Sequence, residues 1–103
     1  MRRSGCKLVH RAGGDEHVYE ITGEHVIGRG SNCDVALRDL QASRRHCSVY
    51  VDSAGQTFAR DLSSRNGTLV NGVRIVGDVE LSAGDVLQIG DSKLRVILDS
   101  DVE

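Results

Sequence analysis

Apolar side chains along this chain come in brief bursts separated by glycine or polar turns. Ten segments carry the pattern: Lys7–Arg11, His17–Ile21, Glu24–Ile27, Val35–Leu37, Cys47–Val51, Thr57–Asp61, Thr68–Val70, Val73–Ile75, Val86–Ile89 and Lys93–Leu98. All are short and most are rich in β-branched residues, which pack well on a pleated surface. In the segment Ser43–Val51, Cys47, Val49 and Val51 alternate with Ser48 and Tyr50. That period of two puts one face of a strand in a core and leaves the other outside. Only Ser31–Ala54 runs long without glycine, and there Ala36, Leu37 and Leu40 make one weak helical stripe, room for a short turn at most. Many short strands with frequent turn signals predict an all-β fold, a sandwich or barrel.

The turns are as informative as the strands. Asn71-Gly72, between Leu69-Val70 and Val73-Arg74-Ile75, predicts a two-residue hairpin, since a type I′ turn needs positive φ at both central positions. Asn66-Gly67 is read as a second such turn, and Leu81–Val86 as another tight reversal. No linker, repeat or low-complexity tract divides the 103 residues, which are read as a single domain with its core over about residues 7–98. On a rigid β scaffold, function is expected in the loops.

Composition narrows the function classes. The net charge of −2 provides no overall basic field for nucleic acid, so any anion must be caught locally. The aromatic side chains are few, Tyr19, Phe58 and Tyr50, too sparse for a base-stacking platform. No run approaches the roughly 20 apolar residues of a membrane-spanning helix. The basic start, Met1-Arg2-Arg3, is not followed by the apolar stretch of a secretory signal, and the chain ends in the acidic stretch Asp99–Glu103. Cys6, Cys33 and Cys47 form no C-x-x-C pair, so neither a disulfide framework nor a zinc knuckle is signalled and a reducing, cytoplasmic setting is expected.

Enzyme templates fail one by one. Gly28-Arg29-Gly30 is not a dinucleotide fingerprint, because Cys33 stands where the third glycine belongs. His46 and Cys47 are adjacent on a predicted strand edge and face opposite sides, so they cannot act as base and nucleophile. Cys47 shares the apolar phase of Val49 and Val51 and is read as core. His10, His17 and His25 have no metal-ligand spacing and are assigned to the surface. No catalytic site, metal or cofactor is expected.

What remains suits an anion. Arg29 follows the strand Glu24–Ile27, Ser43-Arg44-Arg45-His46 precedes the strand Cys47–Val51, and Ser63–Thr68 precedes the hairpin. Loops gathered at one end of a sandwich would bring a guanidinium, a hydroxyl and loop amides together, the donor set a phosphate dianion needs. Charge-assisted hydrogen bonds contribute about 1.5–3 kcal/mol each, so three of them with some backbone contacts approach about −8 kcal/mol, a micromolar affinity.

These blocks, Gly28-Arg29, Ser43-Arg44-Arg45-His46, and Asn66-Gly67-Thr68 followed by Asn71-Gly72, resemble in order and spacing the signature of the forkhead-associated (FHA) domain family. The resemblance covers about Lys7 to Leu98. It implies a β-sandwich of about eleven short strands in two sheets, with ligand-binding loops at one end, acting as a non-catalytic binder of phosphothreonine peptides. Carried over by position, Arg29 holds the phosphate, the Ser43 hydroxyl binds a phosphate oxygen, and Arg44 adds a cationic contact. Asn66 holds the peptide main chain and Arg65 lines the phosphothreonine, although many members have threonine at that position. Gln41 lies where some members read the side chain three positions after the phosphothreonine. Gly28, His46, Gly67, Thr68, Asn71 and Gly72 support the loops. The expected partner is a phosphothreonine-containing protein or peptide made by a Ser/Thr kinase, with no nucleic acid and no membrane. The alternative is a phosphate-independent interaction or self-assembly domain that uses a sheet face.

Overall fold

The structure is a computed structural model that describes the backbone of residues 3–101 and the side chains of residues 5–98. Met1 and Arg2 of the basic start, and Val102 and Glu103 of the acidic end, lie outside the described residues. Eleven strands follow in chain order: β1 Arg3–Ala12, β2 Asp15–Ile21, β3 Glu24–Gly28, β4 Val35–Ala36, β5 Cys47–Val51, β6 Thr57–Asp61, β7 Thr68–Val70, β8 Val73–Arg74, β9 Asp78–Glu80, β10 Val86–Ile89 and β11 Ser92–Asp101. They form a six-stranded sheet in the order β2-β1-β11-β10-β7-β8 and a five-stranded sheet in the order β4-β3-β5-β6-β9. Every pairing is antiparallel except β3 with β4. The stretch with the weak helical stripe forms a turn instead, closed where Ala42 N–H donates to Asp39 O at 3.0 Å.

The alternation in the sequence becomes the core, with one correction: Ser48, expected on the outside of β5, is completely buried, its hydroxyl donating to Glu24 Oε2 at 2.6 Å. Cys6 and Leu8 of β1, Leu87 and Ile89 of β10, and Leu94 and Val96 of β11 are buried from one sheet. Ile27, Val35, Cys47, Val49 and Ala59 are buried from the other. Each inward position recurs at every second residue, so a one-residue slip would turn the whole set outward, and register is fixed by burial. Truncating one of these leucines to alanine costs about 2–5 kcal/mol.

Register also assembles the site. Ile27 pairs with Cys47 and Cys47 with Asp61, so the end of β3, the start of β5 and the end of β6 lie together. In the other sheet, Ile89 pairs with Thr68, placing the end of β10 beside the start of β7. The loops 29–34, 37–46, 62–67 and 90–91 therefore open at one end of the sandwich.

Candidate functional site

The two sheets are tied at this end by a buried histidine. The Ser43 N–H donates to His46 Nδ1 at 3.0 Å, and His46 Nε2 lies 2.8 Å from Gly67 O. A backbone amide can only donate, so Nδ1 carries the lone pair and Nε2 carries the proton that it donates to Gly67 O. His46 is completely buried, and it joins the loop that enters β5 to the loop that enters β7.

Loop 29–34 is fastened to the same frame. Arg29 N–H donates to Ser43 O at 2.9 Å and Gly30 N–H to Arg44 O at 3.0 Å. Residue 28 must be glycine for this approach, since a Cβ there would stand 2.2 Å from Arg44 O. The Arg29 side chain is then aimed by Nε, which donates to Ala42 O at 3.1 Å. Its two terminal nitrogens have no partner among the described residues. Ser43 Oγ accepts from Arg65 N–H at 2.9 Å, and its own hydroxyl proton has no acceptor among the described residues. Asn66 Nδ2 donates to Gln41 O at 2.9 Å, while Asn66 Oδ1 is left to accept.

The turn 62–67 is shaped by Asp61. Its Oδ1 accepts from Ser64 Oγ at 2.5 Å and Thr68 Oγ1 at 2.6 Å, and its Oδ2 from Ser64 N–H at 3.0 Å. Burial pushes the Asp61 carboxyl up, but the Ser64 and Thr68 hydroxyls together with the Ser64 amide hold it below the usual carboxylate range. Ser64 Oγ also accepts from Gly67 N–H at 2.9 Å. Within this turn the expected conformation is corrected. Asn66 does not take positive φ; Gly67 does, at +84°, and so does Ser63, at +59°. The turn is therefore a wider loop pinned by Asp61 and Ser64, not a second two-residue hairpin. Asn71 and Gly72 do take positive φ, +53° and +84°. Asn71 then fastens the start of the adjacent strand β10, at the end of β7 away from the site loops, donating through Nδ2 to Asp85 Oδ1 and accepting from Val86 N–H, both at 2.9 Å.

Two donors are pre-aimed, the terminal nitrogens of Arg29 and the Ser43 hydroxyl, and the side chains of Arg44 and Arg65 stand exposed on the same loops. Gln41 lies at its edge, its carbonyl held by Asn66. Cys47 lies beneath, its thiol pushed up to about 12 by burial and then by the charge of Asp61, a core residue and no nucleophile. His10, His17 and His25 do not come together into a metal site among the described residues. His10 and His25 are half-buried rather than fully on the surface, and His17 is exposed.

The sequence pattern of the FHA domain family matches residues 25–90. This chain belongs to that family. Among its relatives, the FHA domain-containing protein FhaA of Mycobacterium tuberculosis is 37% identical over 84 residues, covering 81% of this chain and 16% of FhaA. A solved structure from a structural and functional analysis of phosphothreonine-dependent FHA domain interactions superposes with a TM-score of 0.81 at 33% identity, covering 90% of this chain and 95% of that one. The FhaA FHA domain complexed with the intracellular domain of Rv3910 superposes with a TM-score of 0.80 at 34% identity, covering 88% of this chain and 98% of that one.

In this FHA domain two supporting residues escape a reading of motifs. Asp39 is buried and accepts from Gln41 N–H at 2.9 Å, Asp91 N–H at 2.8 Å and Ser92 Oγ at 2.6 Å, tying loop 37–46 to the β10–β11 turn. Asp61 pins loop 62–67 to the start of β7 through Ser64 and Thr68. The signal for both is local: an aspartate two or three residues before a turn amide that its carboxylate can cap.

Proposed function

We propose that this FHA domain binds phosphothreonine-containing peptides in protein kinase-dependent signalling, through the loops at one end of the sandwich. The observation that carries this is the pair of uncommitted donors, Arg29 and Ser43, each fixed by a second hydrogen bond that leaves its anion-facing groups free. A phosphate dianion takes two guanidinium N–H groups from Arg29 and the hydroxyl proton from Ser43, with Arg44 and Arg65 adding positive charge. Asn66 Oδ1 accepts a main-chain N–H of the peptide, and Gln41 faces a residue that follows the phosphothreonine. Little is reorganised on binding, because the backbone bonds between loops already hold the donors in place.

The domain acts as a binding module without catalysis, and its partner is a protein phosphorylated by a Ser/Thr kinase. No helix among the described residues is long and apolar enough to cross a membrane. A cytoplasmic setting is supported by free cysteines at positions 6, 33 and 47. The charge balance argues against nucleic acid. A partner on a sheet face would need a contiguous apolar patch. The large exposed apolar side chains among the described residues, Val18, Leu40, Val73, Val76 and Ile97, are spread over β2, loop 37–46, the β8 region and β11.

Calorimetric titration with a degenerate phosphothreonine peptide pool, its phosphoserine counterpart and the unphosphorylated pool tests the reading. Phosphothreonine binds in the micromolar range, phosphoserine binds more weakly by the value of one methyl group, about 0.8–3 kcal/mol, and the unphosphorylated pool does not bind. Equal heats from phosphorylated and unphosphorylated pools would end it.

A further inference from the structure

Arg74 stands in the β8 strand opposite Leu69, where the sequence offers only an exposed arginine. Its side chain lies against the turn that carries Asn66. A Cβ built at Gly67 would stand 2.6 Å from Arg74 Nε and 2.9 Å from Cζ. The guanidinium is thus seated on the bare backbone of Gly67, beside Asn66 and two residues from Arg65. The missing side chain at position 67 is what makes the seat.

This cation has no carboxylate partner. Among the described arginines only two are ion-paired, Arg60 with Asp78 at 2.7 and 2.8 Å and Arg11 with Glu16 at 3.2 Å. Arg74 and Arg65 have no side-chain hydrogen-bond or ion-pair partner among the described residues. The carboxylate of this turn, Asp61, is already taken by Ser64 and Thr68. The other flank of the turn is occupied by Gln41 and Ser43, so Arg74 approaches from the edge of the six-stranded sheet. A guanidinium resting on backbone loses less freedom on binding than one free in solvent, and its planar fork matches an oxyanion.

We propose that Arg74, seated on the turn that carries Asn66, is a specificity-determining residue for an acidic group of the partner, a carboxylate or a second phosphate, flanking the phosphothreonine. The inference rests on the phosphothreonine reading above and deepens it. An acidic neighbour in the peptide replaces the missing intramolecular counter-charge, and a neutral neighbour leaves Arg74 in solvent.

The test is anisotropy titration of the wild-type domain, Arg74→Gln and Arg74→Glu against phosphothreonine peptides in which one flanking position at a time is Ala, Glu, Lys or phosphoserine. Glu at one position tightens wild-type binding about two- to fivefold over Ala, the range of an exposed ion pair. The gain vanishes in Arg74→Gln, Arg74→Glu prefers Lys at that position, and the all-Ala phosphothreonine peptide binds all three proteins alike. A phosphoserine gain larger than that of Glu assigns the site to doubly phosphorylated partners; an equal or smaller one assigns it to acidic residues. Absence of any Glu gain, or an equal loss of the all-Ala peptide in Arg74→Gln, overturns the inference while the phosphothreonine reading stands. Failure of the all-Ala phosphothreonine peptide to bind wild type overturns both.

Discussion

Replacing Gly28 by alanine tests the seam on which the site is built. The added Cβ would stand 2.2 Å from Arg44 O and 2.8 Å from both Arg44 C and Ser43 O, 1.2 Å short of the 3.4 Å at which ordinary contact with the nearest atom begins. Gly28 does not take positive φ, so the cost is collision and not backbone strain. Relief requires loop 37–46 to move away from β3. That movement lengthens the bonds from Arg29 N–H to Ser43 O and from Gly30 N–H to Arg44 O, now 2.9 and 3.0 Å, beyond useful range. Two such bonds contribute about 0.5–1.5 kcal/mol each, and overpacking a tight site costs about 1–3 kcal/mol. The total is about 2–6 kcal/mol, read by urea denaturation as a lower midpoint at unchanged slope. Phosphothreonine-peptide affinity falls with it, because Arg29 and Ser43 lie on the two sides of the parted seam. Gly72→Ala is the control: nothing lies within 4 Å of its added Cβ, and the φ of +84° costs only about 1–2 kcal/mol. A Gly28→Ala protein within about 0.5 kcal/mol of wild type, with peptide binding intact, would refute the reasoning.

Other perturbations follow from the same bonds. His46→Ala strands the Ser43 N–H and the Gly67 carbonyl at a buried position, costing about 1–3 kcal/mol for each in chemical denaturation and weakening peptide binding. In native protein, a thiol reagent modifies half-exposed Cys33 first, while buried Cys47, with its thiol pushed up to about 12, reacts only on unfolding; mass mapping of the adduct checks the order. Asp39 and Asp61 are both held below the usual carboxylate range, with burial opposing and hydrogen bonds prevailing. A depressed folded pKa gives stability that is fully present above the unfolded value, about 3.9, and is lost as pH falls through the folded one. Stability therefore falls below about pH 4, and Asp39→Asn with Asp61→Asn flattens that acid limb in pH-dependent melts.

Most of the fold was legible because its signals are local. Alternation at Cys47, Val49 and Val51, and the Asn71-Gly72 turn, each specify a feature without help from the rest of the chain. The strand β9 was not legible: in Asp78–Glu80 only Val79 is apolar, and the strand exists because it pairs with β6. Asp78 accepts from Arg60 and Tyr50, whose ring stacks on Phe58, so β9 is held by side chains eighteen to twenty-eight positions away. The site divides the same way. Arg29, Ser43 and Asn66 stand out by residue type at strand ends, whereas the reach of Asp39 to Asp91 and Ser92 depends on loops meeting across the two sheets, and the seat of Arg74 on Gly67 depends on the β7–β8 pairing. Asn66 shows the limit of turn chemistry: its side chain binds Gln41 O and its backbone stays out of the left-handed region, which Ser63 occupies instead.

The most direct test of the central claim is residue-resolved amide chemical-shift mapping during titration with a phosphothreonine peptide. The account predicts saturating shifts concentrated at Arg29, Ser43, Arg65 and Asn66, absent with the unphosphorylated peptide and abolished in Arg29→Ala. Shifts confined to the outer faces of β1, β2 and β11, with the loops silent and no dependence on the phosphate, would contradict it.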